Sequence, residues 1–180
     1  PNSVAVFFTN AVRNRANDVN YVYHQNPNFY YLTGYNEPNG ILLIFKDNQT
    51  INGKTFNELL FVQKRDEFAE MWTGRRLGVE GVKDNLGFKV VYNGDNFKKY
   101  PIDFSKFDSV LFNPFENDVR DTKNTADLFN LIKDFKTKVS FDLVNLKTPQ
   151  NDKILEETKK RIDTKTLNIL LADLREIKKP

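Results

Sequence analysis

The apolar residues of this chain come in short dense runs, broken by stretches marked with Asn, Gly and Pro. Val4-Ala5-Val6-Phe7-Phe8 is rich in strand formers and predicts a central strand. Asn10 to Asn20 has no clean period and reads as a loop carrying Arg13 and Arg15 towards solvent. Ile41-Leu42-Leu43-Ile44-Phe45-Lys46 reads as a buried strand, answered by Glu58-Leu59-Leu60-Phe61-Val62-Gln63. Asp47 to Asn57, with Asn52-Gly53, is a polar excursion between them, so the pair is expected to form a hairpin. Lys89-Val90-Val91-Tyr92 and Ser109-Val110-Leu111-Phe112 supply two further strands, and the span between them is irregular with room for a short helix.

Helices are marked by their ends. Asn26 is placed to cap a helix that has Pro27 at its first position, and Gly34 supplies the left-handed residue that stops it. Asn36 to Gly40 is turn chemistry. Asp66 caps a second short helix with Glu67 and Glu70 in its first turns and Gly74 as its stop, and a third ends near Gly87. Asp121 to Lys138 carries Ala126, Leu128, Phe129, Ile132 and Phe135 on one helical face. Val139 to Leu143 reads as an edge strand, and Asn151 to Pro180 turns charge-dense and then helical, with Leu167, Leu170, Leu171 and Leu174 in step. Strands at the start, middle and later chain, separated by helices, define an α/β domain with a mixed sheet over 1–150. Residues 151–180 are expected to form a helical linker.

Composition narrows the function classes. A chain of 180 residues holds one domain with a proper core, and 39% hydrophobic with 28% charged residues is ordinary for a soluble protein. Sixteen Phe and seven Tyr argue against disorder over most of the length. The net charge of +3 is too weak to argue for nucleic acid. With no cysteine, thiolate metal sites, disulfides and cysteine catalysis are excluded. No run reaches the ~20 apolar residues of a membrane span, and no basic-then-apolar leader opens the chain, so a soluble, cytoplasmic protein is expected.

Candidate chemistry is sparse. A hydrolytic metal site needs several convergent His, Asp or Glu ligands, and His24 is the single histidine. In an aromatic run and followed by Gln, it reads as structural or as surface. Glu37, on a turn before a core strand, reads first as a carboxylate bonding turn amides. No serine has the flanking glycines of a nucleophile elbow, and no Gly-rich phosphate loop occurs. Arg75-Arg76 beside Trp72 is a single basic-aromatic conjunction, where a nucleic-acid stacking platform uses several. A lone Trp on a short helix is most often a core residue.

Three strings go beyond these local rules. Tyr21-Val22-Tyr23-His24-Gln25-Asn26, running on through Phe29, Tyr31-Leu32-Thr33-Gly34 and Asn36-Glu37-Pro38, is the first. Glu70-Met71-Trp72-Thr73-Gly74-Arg75-Arg76-Leu77-Gly78 is the second, and Leu174-Arg175-Glu176-Ile177-Lys178-Lys179-Pro180 the third. Together they resemble the opening domain of the Xaa-Pro aminopeptidases, the aminopeptidase P branch of the creatinase and prolidase group. His24 stands where that family often has Arg, and Lys179 where Ser is usual.

The resemblance implies a ribonuclease-H-like mixed sheet flanked by helices, belonging to the non-catalytic N-terminal domain of an enzyme that removes a residue preceding proline. It implies no metal in this chain. The family's two divalent ions, typically manganese, are held by two Asp, one His and two Glu of a C-terminal pita-bread domain expected to follow Pro180. It further implies a homodimer or tetramer acting on short proline-containing peptides. Trp72, Arg75, Arg76, His24 and Tyr35 are then the candidate residues at an interface or at the substrate access. A non-enzymatic peptide- or protein-binding module of the same fold is the alternative, as is the N-terminal domain of a prolidase or creatinase.

Overall fold

A computed structural model describes residues 2–113, 115 and 124–139. In chain order the elements are β1 (Ser3–Phe8), β2 (Asn14–Ala16), β3 (Val19–Asn20), α1 (Pro27–Thr33), β4 (Ile41–Ile51) and β5 (Lys54–Val62). They continue with α2 (Glu67–Thr73), α3 (Gly78–Leu86), β6 (Val91–Asn93), two 3-10 turns (Gly94–Lys99 and Phe104–Lys106), β7 (Ser109–Phe112) and α4 (Leu128–Lys138). Five strands build one mixed sheet in the order β6-β5-β4-β1-β7. The β1–β4 and β4–β5 pairs are antiparallel, whereas β7 joins β1 and β6 joins β5 in parallel.

Both faces of the sheet are covered, and the two-residue period of the strands divides the core accordingly. Val4, Val6, Ile41, Leu43, Leu59 and Phe61 point to one side, where they meet the 3-10 turns and Leu131 and Phe135 of α4. Ala5, Phe7, Leu42, Leu60 and Val62 point to the other, against Phe29 and Leu32 of α1, Val82 of α3, and Tyr35. The architecture is the mixed α/β sheet flanked by helices that the sequence predicts.

Several boundaries differ from expectation for identifiable reasons. The predicted polar excursion is itself strand: β4 and β5 run on to a two-residue turn at Asn52 (φ 51°) and Gly53 (φ 73°), the left-handed pair that tight hairpins favour. Phe56 anchors that extension by setting its ring edge-on to Phe45 at 6.0 Å. The expected loop 10–20 contains the β2–β3 hairpin, turned at Asn17 (φ 50°). Its strand residues are all exposed, so no hydrophobic alternation could announce it. Arg13 and Arg15 do face solvent.

The helix expected from Asp121 begins at Leu128, with Ala126 half-buried in the turn before it; within α4 the buried positions are Leu128, Leu131, Ile132 and Phe135, and Phe129 is half-buried. Residues 140–143 of the expected edge strand, and the linker 151–180 with its Leu174–Pro180 string, lie outside the described residues. Among the described residues, no helix is long and apolar enough to cross a membrane.

Candidate functional site

The approach 21–26, α1 and the turn 35–40 form one polar hub beside the sheet. Asn26 caps α1, its Oδ1 accepting from the amides of Asn28 (3.0 Å) and Phe29 (3.1 Å), and Gly34 (φ 68°) ends it. Gln25 is the centre of the hub. Its Oε1 accepts from the amides of Asn10 (3.1 Å) and Asn26 (2.9 Å) and from the Tyr23 hydroxyl (2.8 Å). Its Nε2 donates to the carbonyls of Tyr35 (3.1 Å) and Glu37 (2.9 Å). One side chain therefore ties β1's exit, the start of α1 and the turn together.

The turn passes this order on to two distant helices. Glu37 Oε1 accepts from the Leu77 amide at 2.7 Å, at the start of α3, where Leu77 itself supplies no side-chain cap. Asn39, held in the left-handed region (φ 61°), accepts through Oδ1 from the Leu128 amide at 3.0 Å, at the start of α4. Glu37 thus bonds an amide, as the sequence suggests, but one 40 residues along the chain rather than in its own turn.

Tyr35 corrects an expectation. Proposed for an interface, it is fully buried, because its ring completes the core between Phe29 and the sheet. Its hydroxyl donates to Glu37 Oε2 (3.0 Å) and accepts from the Gln63 amide (3.2 Å). Burial first, then the neighbouring Glu37 charge, pushes this hydroxyl well above the usual tyrosine range, so it stays protonated as a donor. Burial likewise raises the Tyr23 hydroxyl.

Residues 64–77 form an arm that leaves the end of β5 and returns at α3. Asp66 caps α2 by accepting from the Ala69 amide (3.0 Å), and Glu70 reaches back to the Asp66 amide (3.2 Å). Arg65 grips Glu70 through two hydrogen bonds, 3.1 and 2.9 Å. No residue of α2 is buried. Phe68, Met71 and Trp72 are instead 73%, 70% and 82% exposed, which overturns the reading of Trp72 as a core residue.

Arg75 is exposed on the same arm, whereas Arg76 is half-buried and closes the neck. Its Nη1 donates to the Lys64 carbonyl (3.1 Å), and the Gln63 amide oxygen, turned inward, accepts from the guanidinium at 3.0–3.1 Å. An open cleft of about 1360 Å³ separates the arm from the β2–β3 hairpin, with Glu37, Pro38 and Gln63 along it. His24 is exposed, does not line that cleft, and engages the hub through its carbonyl, which accepts from Asn10 Nδ2 (3.0 Å). So Trp72, Arg75 and Arg76 share one element, and His24 and Tyr35 do not join them. Phe68 and Met71, which the sequence reading passed over, sit at helical spacing around Trp72 with no core contact.

The Arg65–Glu70 pair makes the arm acid-sensitive. Hydrogen bonding to Arg65 pulls the Glu70 carboxyl from 4.5 down to about 2, and its side chain is only 9% exposed. A carboxylate lowered in the folded state contributes in full above its unfolded value and loses that contribution as pH falls through the folded one. Because Trp72 is the sole tryptophan, its fluorescence anisotropy reports on the arm. It should hold steady from pH 7 to about 5 and fall between about 4.5 and 2. In Glu70→Gln that fall should be absent; an identical acid profile in the variant would remove Glu70 as its cause.

Among the described residues, no group of three or more His, Asp or Glu side chains is gathered to hold a metal ion. Comparison with known proteins identifies the class. Over 75% of this chain and 28% of the other, the fold superposes on aminopeptidase P from E. coli with the inhibitor Pro-Leu, with a TM-score of 0.57 and 26% identity. The profile of the aminopeptidase P N-terminal domain matches residues 1–111. The chain belongs to that family. Xaa-Pro aminopeptidase of Haemophilus influenzae is 38% identical over 97 residues (54% of this chain, 21% of the relative). The Escherichia coli enzyme of the same name is 40% identical over 87 residues (48% and 19%). The chain thus spans about a fifth of the length of these relatives.

Proposed function

We propose that this chain is the non-catalytic N-terminal part of an Xaa-Pro aminopeptidase, a cytoplasmic enzyme that releases an N-terminal residue preceding proline. In this reading the reaction, with its two divalent ions (manganese being the expected metal), belongs to a C-terminal pita-bread domain. The domain described here builds the dimer or tetramer interface and narrows access to short peptides. The family match and the names of the relatives support the parent activity. The lack of cysteine is in keeping with the cytoplasm.

One observation carries the docking role: α2 holds Phe68, Met71 and Trp72 out into solvent on an arm whose return is tied to the hub through Glu37. Burying three large apolar side chains against a partner is worth about 1.5–3 kcal/mol each, and aromatic and Arg anchors dominate interfaces. Left exposed, they give the isolated domain nothing. Trp72→Ala should therefore change the stability of this chain by no more than about 0.5 kcal/mol, as for other surface substitutions. In the full-length protein it should alter peptide hydrolysis or subunit assembly. Unchanged kinetics together with an unchanged oligomeric state would refute the docking role. The chain by itself, supplied with manganese, should not cleave an Xaa-Pro peptide. A full reading frame without the two Asp, one His and two Glu ligands would instead make this a peptide- or protein-binding module.

A further inference from the structure

The arm 64–77 contributes no side chain of α2 to the core, so something other than packing must set its direction. Its outgoing end closes through the Asp66 cap and the Arg65–Glu70 pair, and touches the return where Glu70 accepts from the Arg76 amide and the Arg65 side chain lies against Gly78; none of these contacts reaches the hub. Its return, Arg75-Arg76-Leu77, is bracketed by two glycines in the left-handed half of backbone space, Gly74 (φ 85°) and Gly78 (φ 61°). Residues without a Cβ at both ends leave that segment free to swivel unless it is tied. A side chain at Gly74 would meet nothing within 4 Å, so no neighbour restrains the swivel there.

The ties form a closed circuit. The Gln63 amide donates to the Tyr35 hydroxyl, that hydroxyl donates to Glu37 Oε2, and Glu37 Oε1 accepts from the Leu77 amide. Arg76 then returns to the Lys64 carbonyl and to the Gln63 side chain. The Leu77 side chain rests against the second core cluster, which limits its travel but not the direction of its backbone. At 2.7 Å, the Glu37 contact is the shortest in the circuit, and it involves a charged acceptor, the stronger kind of hydrogen bond.

We infer that Glu37 is a positioning residue: it latches the return of the arm to the hub and so fixes where Trp72 stands relative to the sheet. The simpler alternative is that Glu37 only caps α3. The two differ in what moves when the carboxylate is lost. A cap alone would weaken α3 and leave the arm in place, whereas a latch would release the arm while α3 stays packed through Val82. The consequence for catalysis rests on the docking role proposed for Trp72; the latch does not.

Two measurements on the 180-residue chain test the latch. In the unmodified protein, native-state hydrogen exchange should show the Leu77 and Gln63 amides opening together, at a lower free energy than core amides such as Leu43 and Leu60. An unprotected Leu77 amide, or one that opens only with the core, would overturn the inference. In Glu37→Ala, Leu77 exchange should speed up at least tenfold and Trp72 anisotropy should drop, with the core amides far less affected. Glu37→Gln, whose carbonyl can still accept from Leu77, should recover most of the anisotropy. Wild-type anisotropy in Glu37→Ala would sink the latch even if α3 frays. If the arm loosens but Trp72→Ala proves silent in the full-length protein, the latch stands and the docking role falls.

Discussion

Phe61→Ala should cost this protein about 3–5 kcal/mol, the range for emptying a large aromatic site in a packed core. Phe61 is fully buried in β5, between β4 and β6. Its ring meets Phe97 at 5.1 Å and Tyr100 at 5.4 Å, both edge-on, and Tyr92 at 6.0 Å. Edge-on pairs add about 0.5–1.5 kcal/mol each to the burial itself. The walls of the site cannot close readily over the gap, because two belong to the first 3-10 turn and its exit and one to β6. Urea unfolding would measure the loss, with Val22→Ala, at a site 79% exposed, as the control that should change little. A cost under about 1 kcal/mol would mean that the aromatic layer repacks, contrary to the behaviour of close-packed interiors.

Gln25→Ala should be nearly as damaging, by about 3 kcal/mol, although it removes no hydrophobic core. The amides of Asn10 and Asn26 and the carbonyls of Tyr35 and Glu37 lose their shared partner together. A part-buried polar group left unsatisfied costs about 1–3 kcal/mol, and water can reach some of these four. Thermal unfolding gives the loss. His24→Ala is a useful contrast, since His24 engages the hub through its backbone carbonyl, which any residue supplies. A Gln25 variant as stable as the parent would show that the hub is held by the backbone turn alone.

The contrast between these two positions shows what could be read from the sequence. Phe61 lies in an apolar run flanked by Leu60 and Val62, and such a run declares a buried strand without further help. Asn26, Pro27, Gly34, Asp66 and Gly87 declare helix ends, and the structure uses each where the sequence places it. Gln25 declares nothing by itself. It stood inside the string that carries the family resemblance, but its five partners are spread over 10 to 37 and come together only after folding. Asn39 at the start of α4 is hidden for the same reason, its partner being 89 residues away. Trp72 departs from the usual burial of a large aromatic, because α2 has no face against the core. Tyr35 shows the limit of the resemblance, which implies an interface or access position where the fold puts the ring in the core.

The two borrowed acceptors also order events in time. At 9 and 11 residues, α3 and α4 are shorter than the ~12–15 that an isolated helix needs to hold in water. Neither has a side-chain cap of its own, and each receives its acceptor from the turn 35–40. During synthesis that turn leaves the ribosome first, with α1 and the first strand already upstream of it. Each later helix thus depends for its first turn on an acceptor made before it, and neither start is complete by local sequence alone.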